Sequence, residues 1–245
     1  MDIFSFFTTN FPPLSLIARL FPISILWSFA ALTFAGYCKK KFHFKTGYTR
    51  KIFHFLIFIS AAFFQIFYSL KGVFILGWSV TVVLIFACYK GNGFMLYEAI
   101  AREKDAPYRT KYIVYSYLAT FLGGVFSNIL FGQYAIFGYA ITGVADAIAE
   151  PIGTRFGKHQ YRVFSFDKAK ISYRSIEGSL SVLVATLLVI VLLATTFFSV
   201  SIPFYYICAI AIFCMLVEAV SPSGFDNLLL QLCSSYACYF IIQLL

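Results

Sequence analysis

Charged side chains are scarce in this chain, which has 10 acidic residues among 245 and a charged fraction of 12%. An average soluble domain carries about 25% charged residues, so roughly half of the expected charge is missing. Hydrophobic residues make up 61% of the chain, and its mean hydropathy is +0.85. The shortage of charge excludes an ordinary soluble domain, and the composition predicts an integral membrane protein.

Metal-binding and disulfide patterns are also missing. The six cysteines are scattered at or within apolar runs, no CxxC pair occurs, and no Cys/His cluster has the spacing of a zinc site. We therefore interpret the cysteines as small apolar residues.

The positive charge is present but concentrated. Seventeen of the nineteen lysines and arginines fall in three clusters, from Lys39 to Lys51, from Lys90 to Lys111 and from Arg155 to Arg174. Alternate loops that hold nearly all the positive charge are typical of a multi-span protein with cytoplasmic basic loops. Basic loops beside the bilayer therefore account for the net charge of +9. We expect the protein to lie in a lipid bilayer and not to bind nucleic acid.

Apolar runs predict the fold class, an all-α, multi-pass transmembrane helical bundle of about 7–8 spans. We expect one integral membrane domain over residues 1–245, in a bacterial inner membrane, or in the ER or a plastid membrane in a eukaryote. Eight spans would put the basic loops on one side and both termini on the other, and seven spans with a final re-entrant or peripheral helix is the alternative. The predicted runs cover residues 15–37, 52–70, 72–89, 112–131, 133–152, 178–199, 202–220 and a last run to Leu245.

The second and third runs have almost no linker and should form a helical hairpin. A polar segment over residues 91–111 then predicts an interfacial helix in which Phe94, Leu96 and Tyr97 face lipid. A contact with a headgroup or nucleotide is the alternative for this segment.

The stretch over residues 141–179 organises the rest of the chain. Asp146 and Glu150 lie four apart in an apolar run, on one helix face, and intramembrane carboxylates indicate a functional site. Pro151 should kink this helix and free a backbone carbonyl. Carboxylate and carbonyl oxygens suit Mg²⁺. The alternative is a buried ion pair with Arg or Lys from a neighbouring span.

The residues that follow fit a phosphate-binding loop. Gly153 and Gly157 allow backbone amides to approach an anion, and Lys158 and His159 add basic side chains. A basic loop beside anionic lipid is the alternative interpretation.

Two further groups at this membrane face could take part in the chemistry. Arg50, Lys51 and His54 share one helix face, where a neutral imidazole could act as a base or as a hydrogen-bond donor, although a structural histidine is the alternative. Glu218, with Asp226 and Asn227, flanks the last polar turn, where capping of the final helix is the alternative.

Together these groups resemble the polyprenol and phytol kinase family, which includes dolichol kinases and CTP-dependent diacylglycerol kinases. RKIFH (residues 50–54) is similar to its RKxxH signature, and DAIAEPIGTRFGK (146–158) to its DxxAxxxGxxxGK nucleotide motif. RSIEGS (174–179) resembles its KSxEGS, and EAVSPSGFDN (218–227) its closing E…GxDN. The chain departs from the family at Phe58 and Ala145, where Gly is usual, at Arg174, where Lys is usual, and at Glu150, where a small residue is common.

The resemblance implies phosphorylation of a long-chain lipid alcohol (phytol, polyprenol, dolichol or diacylglycerol type) by CTP with Mg²⁺ at the cytoplasmic membrane face. A related alternative is a CDP-diacylglycerol synthase-like cytidylyltransferase, although RKIFH is foreign to those enzymes and ISYRS stands where they carry an SPKKT-like segment. A non-enzymatic ion-coupled transporter or flippase is the third possibility. The resemblance also implies a role for individual residues. The implied catalytic residues are Asp146, His54, Lys51, Arg50 and Glu177, and the implied metal ligands are Asp146, Glu150 and Asp226. The implied nucleotide-binding residues are Gly153, Gly157, Lys158, His159, Arg174, Gly178 and Asn227.

Overall fold

The computed structural model describes residues 3–164, 172–222 and 224–245, and of Ile3 the backbone alone. Helix dominates these residues, as the long apolar runs predict. The α-helices are α1 (Ile3–Asn10), α2 (Leu14–Phe42), α3 (Thr46–Lys90), α4 (Met95–Ile100), α5 (Arg109–Phe131), α6 (Ala135–Ile141), α7 (Ala147–Phe156), α8 (Ile176–Leu193), α9 (Phe204–Val220) and α10 (Asp226–Leu244).

Among the described residues, five helical stretches are long and apolar enough to cross a membrane by length and composition. A sixth apolar helix, α9, is shorter. These helices confirm the predicted all-α class and point to a membrane protein. The long stretches are Leu14–Phe42, Thr46–Lys90, Arg109–Phe156, Ile176–Phe198 and Asp226–Leu244.

Helix α3 has 45 residues, which is about twice the length needed to span a bilayer. Its backbone leaves helical geometry at Ser69, where φ is 56° and ψ is −166°. A methyl group on Gly72 would lie 3.1 Å from the carbonyl oxygen of Phe64, eight residues earlier, so the chain turns sharply here. The break coincides with the predicted boundary between the second and third apolar runs.

The stretch Arg109–Phe156 is interrupted in a similar way. Gly132, with φ of 56°, begins a 3₁₀ turn (Gly132–Tyr134) that separates α5 from α6. A π-helical turn, Thr142–Asp146, then joins α6 to α7. Helix α7 continues through Pro151, so the irregular backbone lies one turn earlier than the predicted kink.

The chain divides into two compact units, Met1–Val114 and Tyr115–Leu245. In the first unit α2 packs against α3, and α4 packs against both. A methyl group on Gly36 would lie 2.8 Å from Cγ of Met95, so this glycine lets α4 approach α2 closely. The prediction that Leu96 and Tyr97 face lipid is wrong, because both side chains are buried between these helices.

Ion pairs fix the segment after α3 in the first unit. Arg109 pairs with Glu98 (Nη2 to Oε2, 2.7 Å), and Lys39 pairs with Glu103 (Nζ to Oε1, 2.7 Å). The hydrogen bond from Arg109 lowers the pKa of Glu98. Thr49 at the start of α3 donates to the carbonyl of Ala99 (2.6 Å). Together these contacts hold α4 against the first turn of α3, so the predicted interfacial helix is part of the packed protein.

In the second unit α8 packs against α7, α9 and α6, and α10 packs against α6 and α9. A two-stranded antiparallel sheet precedes α8. It pairs β1 (Gln160–Val163) with β2 (Ser172–Ser175), with Tyr161 opposite Arg174. This sheet was not predicted, because the basic residues of the segment indicated a loop.

Candidate functional site

The centre of the candidate site is Arg174, which β2 holds beside two carboxylates. Its Nη1 atom lies 3.0 Å from Oε1 of Glu218, and its Nη2 atom lies 3.5 Å from Oδ2 of Asp226. Burial disfavours the charged form of Arg174, but the negative charges of Glu218 and Asp226 outweigh this effect and raise its pKa. The guanidinium therefore stays charged and joins the end of α9 to the start of α10.

Glu218 is almost fully buried, with 5% of its surface exposed. One carboxylate oxygen contacts Arg174, and the other accepts a hydrogen bond from Oγ of Ser179 at 3.2 Å. The Ser179 hydroxyl in turn pairs with the hydroxyl of Tyr161 at 2.7 Å. Because Tyr161 faces Arg174 across the sheet, the strands and the helix ends share one polar network.

Sequence reasoning missed Tyr161 and Ser179. Tyrosine and serine have many structural roles, so residue type alone does not single them out. Their hydrogen bonds to the Glu218 network depend on the pairing of β1 with β2, which was not predicted. The alternation of aromatic and polar residues in QYRV and SYRS is the signal that could have revealed it.

Asp146 lies in the π-helical turn and is 4% exposed. Its charge is among those that raise the pKa of Arg174, so it belongs to the same electrostatic cluster. π-Helical turns are frequent at functional sites. The predicted partner carboxylate, Glu150, is half-buried one turn later in α7. The structure thus brings together Asp146, Arg174, Glu218 and Asp226, which the chain separates by up to 80 positions.

Glu177 organises the turn that follows α7. Its carboxylate accepts hydrogen bonds from the backbone amides of Lys158 (3.1 Å) and His159 (3.3 Å), and it lies 2.9 Å from Nδ1 of His159. The side chains of Lys158 and His159 are exposed. Glu177 thus orders this turn, and both amides bond to protein oxygen. Its implied catalytic role stays a prediction.

The three glycines of the site pack around Ser175. A methyl group on Gly153 would lie 2.9 Å from Oγ of Ser175, and one on Gly157 would lie 2.7 Å from the same atom. A methyl group on Gly178 would lie 3.0 Å from the carbonyl oxygen of Ala149. The Ser175 hydroxyl caps α8 by accepting from the amide of Gly178 (3.1 Å). These glycines allow α7 and the start of α8 to approach closely, and their predicted contact with nucleotide stays a prediction.

Asn227 is buried at the start of α10. Its Nδ2 atom donates to Oγ1 of Thr120 in α5 at 2.9 Å. The amide thus anchors α10 to α5, and its predicted nucleotide contact also stays a prediction.

The predicted metal site can be tested against the chemistry of these side chains. In the part of the chain that the structure describes, no group of three or more His, Cys, Asp or Glu side chains is arranged to hold a metal ion. Mg²⁺, however, is usually held by one or two carboxylates together with substrate phosphates and water. Carboxylate oxygen is the ligand type that this mode uses, while Asp226 already lies 3.5 Å from the guanidinium of Arg174. The metal roles of Asp146, Glu150 and Asp226 stay predictions.

The remaining predicted residues lie in the first unit, near the start of α3. Lys51 is buried, Arg50 is half-buried, and the His54 ring stacks on Phe58 with centroids 4.2 Å apart. Phe58 thus supports one face of the imidazole. The predicted roles of the three residues in phosphate binding and proton transfer stay predictions.

A search of curated proteins gives a similarity that bears on function. This chain is similar to a phytol kinase. The relative, from Synechocystis sp. (strain ATCC 27184 / PCC 6803 / Kazusa), is 35% identical over 115 residues. The alignment covers 46% of this chain and 46% of the phytol kinase, so it spans about half the length of either protein. No protein-family model and no solved structure matches the chain.

Proposed function

We propose that this chain is a membrane kinase that phosphorylates a long-chain lipid alcohol, with CTP as the phosphoryl donor. The observation that carries the proposal is the similarity to the phytol kinase. A charged cluster beside apolar helices supports it, because phosphoryl transfer depends on positioning and on neutralising phosphate charge. In this cluster Asp146 and Glu218 are buried, and Arg174 and Asp226 are half-buried. The choice of CTP rests on the resemblance of the sequence motifs.

The reaction joins the alcohol oxygen to the γ-phosphorus. The bond from that phosphorus to the β-phosphate oxygen breaks, CDP leaves, and the alcohol proton passes to a base. Asp146, with Glu150 and Asp226, would hold Mg²⁺, which neutralises charge on the phosphates when bound. Lys158, His159 and Arg174 would contact phosphate, while Glu177 fixes the loop that carries the first two. The resemblance of the RKIFH motif implies that Arg50 and Lys51 are phosphate ligands and that His54 is a proton acceptor, and these roles rest on that resemblance alone.

We also propose eight membrane spans. The breaks at Ser69 and Gly132 support this count, since each divides an over-long helical stretch into two pieces of about one bilayer thickness.

The alcohol would enter sideways from lipid, with its tail among apolar helices.

The test is a product assay with purified protein, Mg²⁺, phytol and CTP labelled in the γ-phosphate. We expect labelled phytyl phosphate and CDP. A parallel reaction in which phosphatidic acid replaces phytol tests the alternative, because a cytidylyltransferase would join the lipid phosphate to the α-phosphorus of CTP and release labelled pyrophosphate. The absence of any CTP binding would favour the transporter alternative.

Asp146→Asn tests the assignment of the central carboxylate. We expect it to lower phosphoryl transfer by more than about a hundredfold, because the amide cannot neutralise a metal ion. Asp105→Asn is the matched control, since Asp105 is equally buried, at 4% exposure, but lies in the first unit beside Arg102. Full activity of Asp146→Asn would contradict the metal assignment.

A further inference from the structure

The turn between α2 and α3 is exposed along its whole length. Helix α2 ends at Phe42, the backbone of His43 lies in the left-handed region with φ of 52°, and α3 begins at Thr46. Every residue from 40 to 45, in the order KKFHFK, is exposed. We call residues 40–45 the basic turn, because half of them are lysines.

Lys39, directly before the basic turn, shows how the first unit neutralises a lysine that it packs. Its Nζ atom lies 2.7 Å from Oε1 of Glu103 and donates to the backbone carbonyl of Glu98 at 2.8 Å. The side chain of Lys39 is 22% exposed. Its charge is therefore compensated within the protein.

The lysines of the basic turn have no such compensation. In the part of the chain that the structure describes, no carboxylate lies within ion-pairing distance of Lys40, Lys41 or Lys45. The described carboxylates of the first unit already pair with other cations, namely Glu98 with Arg109, Glu103 with Lys39 and Asp105 with Arg102. Three positive charges thus face outward together, and the described chain supplies no negative charge for them.

Aromatic rings accompany these lysines. The ring centroids of Phe42 and Phe44 are 5.9 Å apart, and those of Phe44 and Tyr48 are 6.4 Å apart. Nζ of Lys41 lies 5.3 Å from the centre of the Tyr37 ring and 5.9 Å from that of Phe42. Phe42 and Phe44 are 55% and 41% exposed. Exposed rings among lysines suit the boundary between headgroups and acyl chains, where the rings leave water and the ammonium groups stay at the phosphates.

We propose that the basic turn binds the headgroup of an anionic phospholipid, with the lysines at the phosphate and Phe42 and Phe44 against the upper part of the acyl chains. The charge of the turn decides between lipid classes. Phosphatidylglycerol brings a net negative charge, whereas phosphatidylcholine also brings a trimethylammonium group that the lysines repel. The inference does not depend on the proposed kinase function, since it uses neither the nucleotide nor the cluster around Arg174.

The test measures lipid binding to the purified full-length protein by native mass spectrometry. The protein is titrated in detergent with phosphatidylglycerol or with phosphatidylcholine of the same acyl chains, and the dissociation constant of the first bound lipid is determined. One lysine near an anionic lipid contributes about fivefold in binding. We expect wild-type protein to prefer phosphatidylglycerol by at least about tenfold, because more than one lysine faces the headgroup. In the double variant Lys40→Gln and Lys41→Gln this preference should fall by at least about fivefold.

The matched control is the double variant Arg19→Gln and Lys71→Gln, which removes the same amount of positive charge. Arg19 is exposed near the start of α2, about 30 Å from Lys40 along the helix axis, and Lys71 follows the break at Ser69. This variant should keep the wild-type preference. The double variant Lys40→Arg and Lys41→Arg retains the charge of the basic turn and should keep the preference as well. Thermal unfolding verifies that each variant is folded.

Equal binding of the two lipids by wild-type protein would overturn the proposal without recourse to any variant. An equal loss of preference in the control would also overturn it, because net charge and not the basic turn would then determine binding. Weaker CTP binding by Lys40→Gln and Lys41→Gln, with an unchanged lipid preference, would assign these lysines to the nucleotide and overturn the lipid site. A failure to form phytyl phosphate contradicts the proposed kinase alone, since lipid binding is measured without nucleotide.

Discussion

Glu103 shows how single charged residues secure the first unit. Its carboxylate accepts hydrogen bonds from Nζ of Lys39 and from the hydroxyl of Thr46, both at 2.7 Å. Partial burial works against the charged form, but these two bonds outweigh it and lower the pKa of Glu103 from 4.5 to about 2. The charge of one side chain thereby joins α2, the start of α3 and the segment after α4.

The lowered pKa of Glu103 predicts a pH dependence of stability. Because the pKa is lower in the folded state than in the unfolded state, the stabilisation is present above pH 4.5 and is lost as pH falls toward 2. Thermal unfolding of wild-type protein and Glu103→Gln between pH 6 and pH 3 measures this. The difference in melting temperature should shrink as pH falls, and a constant difference would contradict the assigned ion pair.

The sequence identifies candidate residues better than it identifies their partners. Asp146 stands out because a carboxylate in an apolar run is rare, as does Glu218, and Asp226 stands out by its place in the EAVSPSGFDN motif. That Arg174 joins the last two could not be read from the chain, since it depends on how β2 is placed beside the ends of α9 and α10. Whether two charged side chains form an ion pair depends on the distance between them in the folded protein, and the types of the residues do not give that distance.

At the scale of elements, close packing of α7 and α8 sets the shape of the site. Gly153 and Gly178 leave no room for a side chain between the two helices. The sequence analysis interpreted these glycines by their possible contact with phosphate. The sequence does not show which neighbour leaves no room for a side chain at a glycine. The packing role of these two glycines follows only from the positions of α7 and α8.

Substitution of these glycines should destabilise the protein whether or not nucleotide is present. Gly153→Ala and Gly178→Ala should each cost about 1–3 kcal/mol in unfolding free energy, because the methyl group meets Ser175 or the backbone of Ala149. Denaturation in detergent without ligand measures this.

Gly77→Ala is the control, because nothing lies within 4 Å of the added methyl group. Its greater helix propensity should stabilise α3 by about 0.5–1 kcal/mol. Destabilisation by Gly77→Ala comparable to that of the other two would indicate that any alanine in these helices is harmful.

The long helices could be predicted from the sequence, because hydrophobicity alone determines where they lie. The apolar runs predict helices α2, α5, α8, α9 and α10 to within a few residues, because each needs about one bilayer thickness of apolar sequence. The strands β1 and β2 have four residues each, and such short segments carry little local signal. Side chains of the two strands contact α8 and α9, through Tyr161 with Ser179 and through Arg174 with Glu218, and such long-range contacts are not visible in the sequence.

At the scale of the whole molecule, the proposed eight spans have a simple consequence for topology. An even number of spans returns the chain to the side on which it began. The seven-span alternative, with α10 peripheral, would leave the carboxyl-terminal segment on the opposite side.

Epitope tags on the two termini, probed in sealed vesicles, distinguish these topologies. We expect both tags to become accessible on the same side, opposite to a label on Lys104→Cys in a cysteine-free background. Lys104 belongs to the second basic cluster, which is expected to be cytoplasmic. Tags on opposite sides would contradict the eight-span topology.

The turn at Ser69 also affects how the protein resists digestion. Lys71 provides trypsin with a basic residue two positions later, but a protease must draw several residues of extended backbone into its active site. Between the two halves of α3, the residue that leaves helical geometry is Ser69 alone. The Lys71–Gly72 bond should therefore survive in native protein, and its cleavage would report that this pair of helices has come apart.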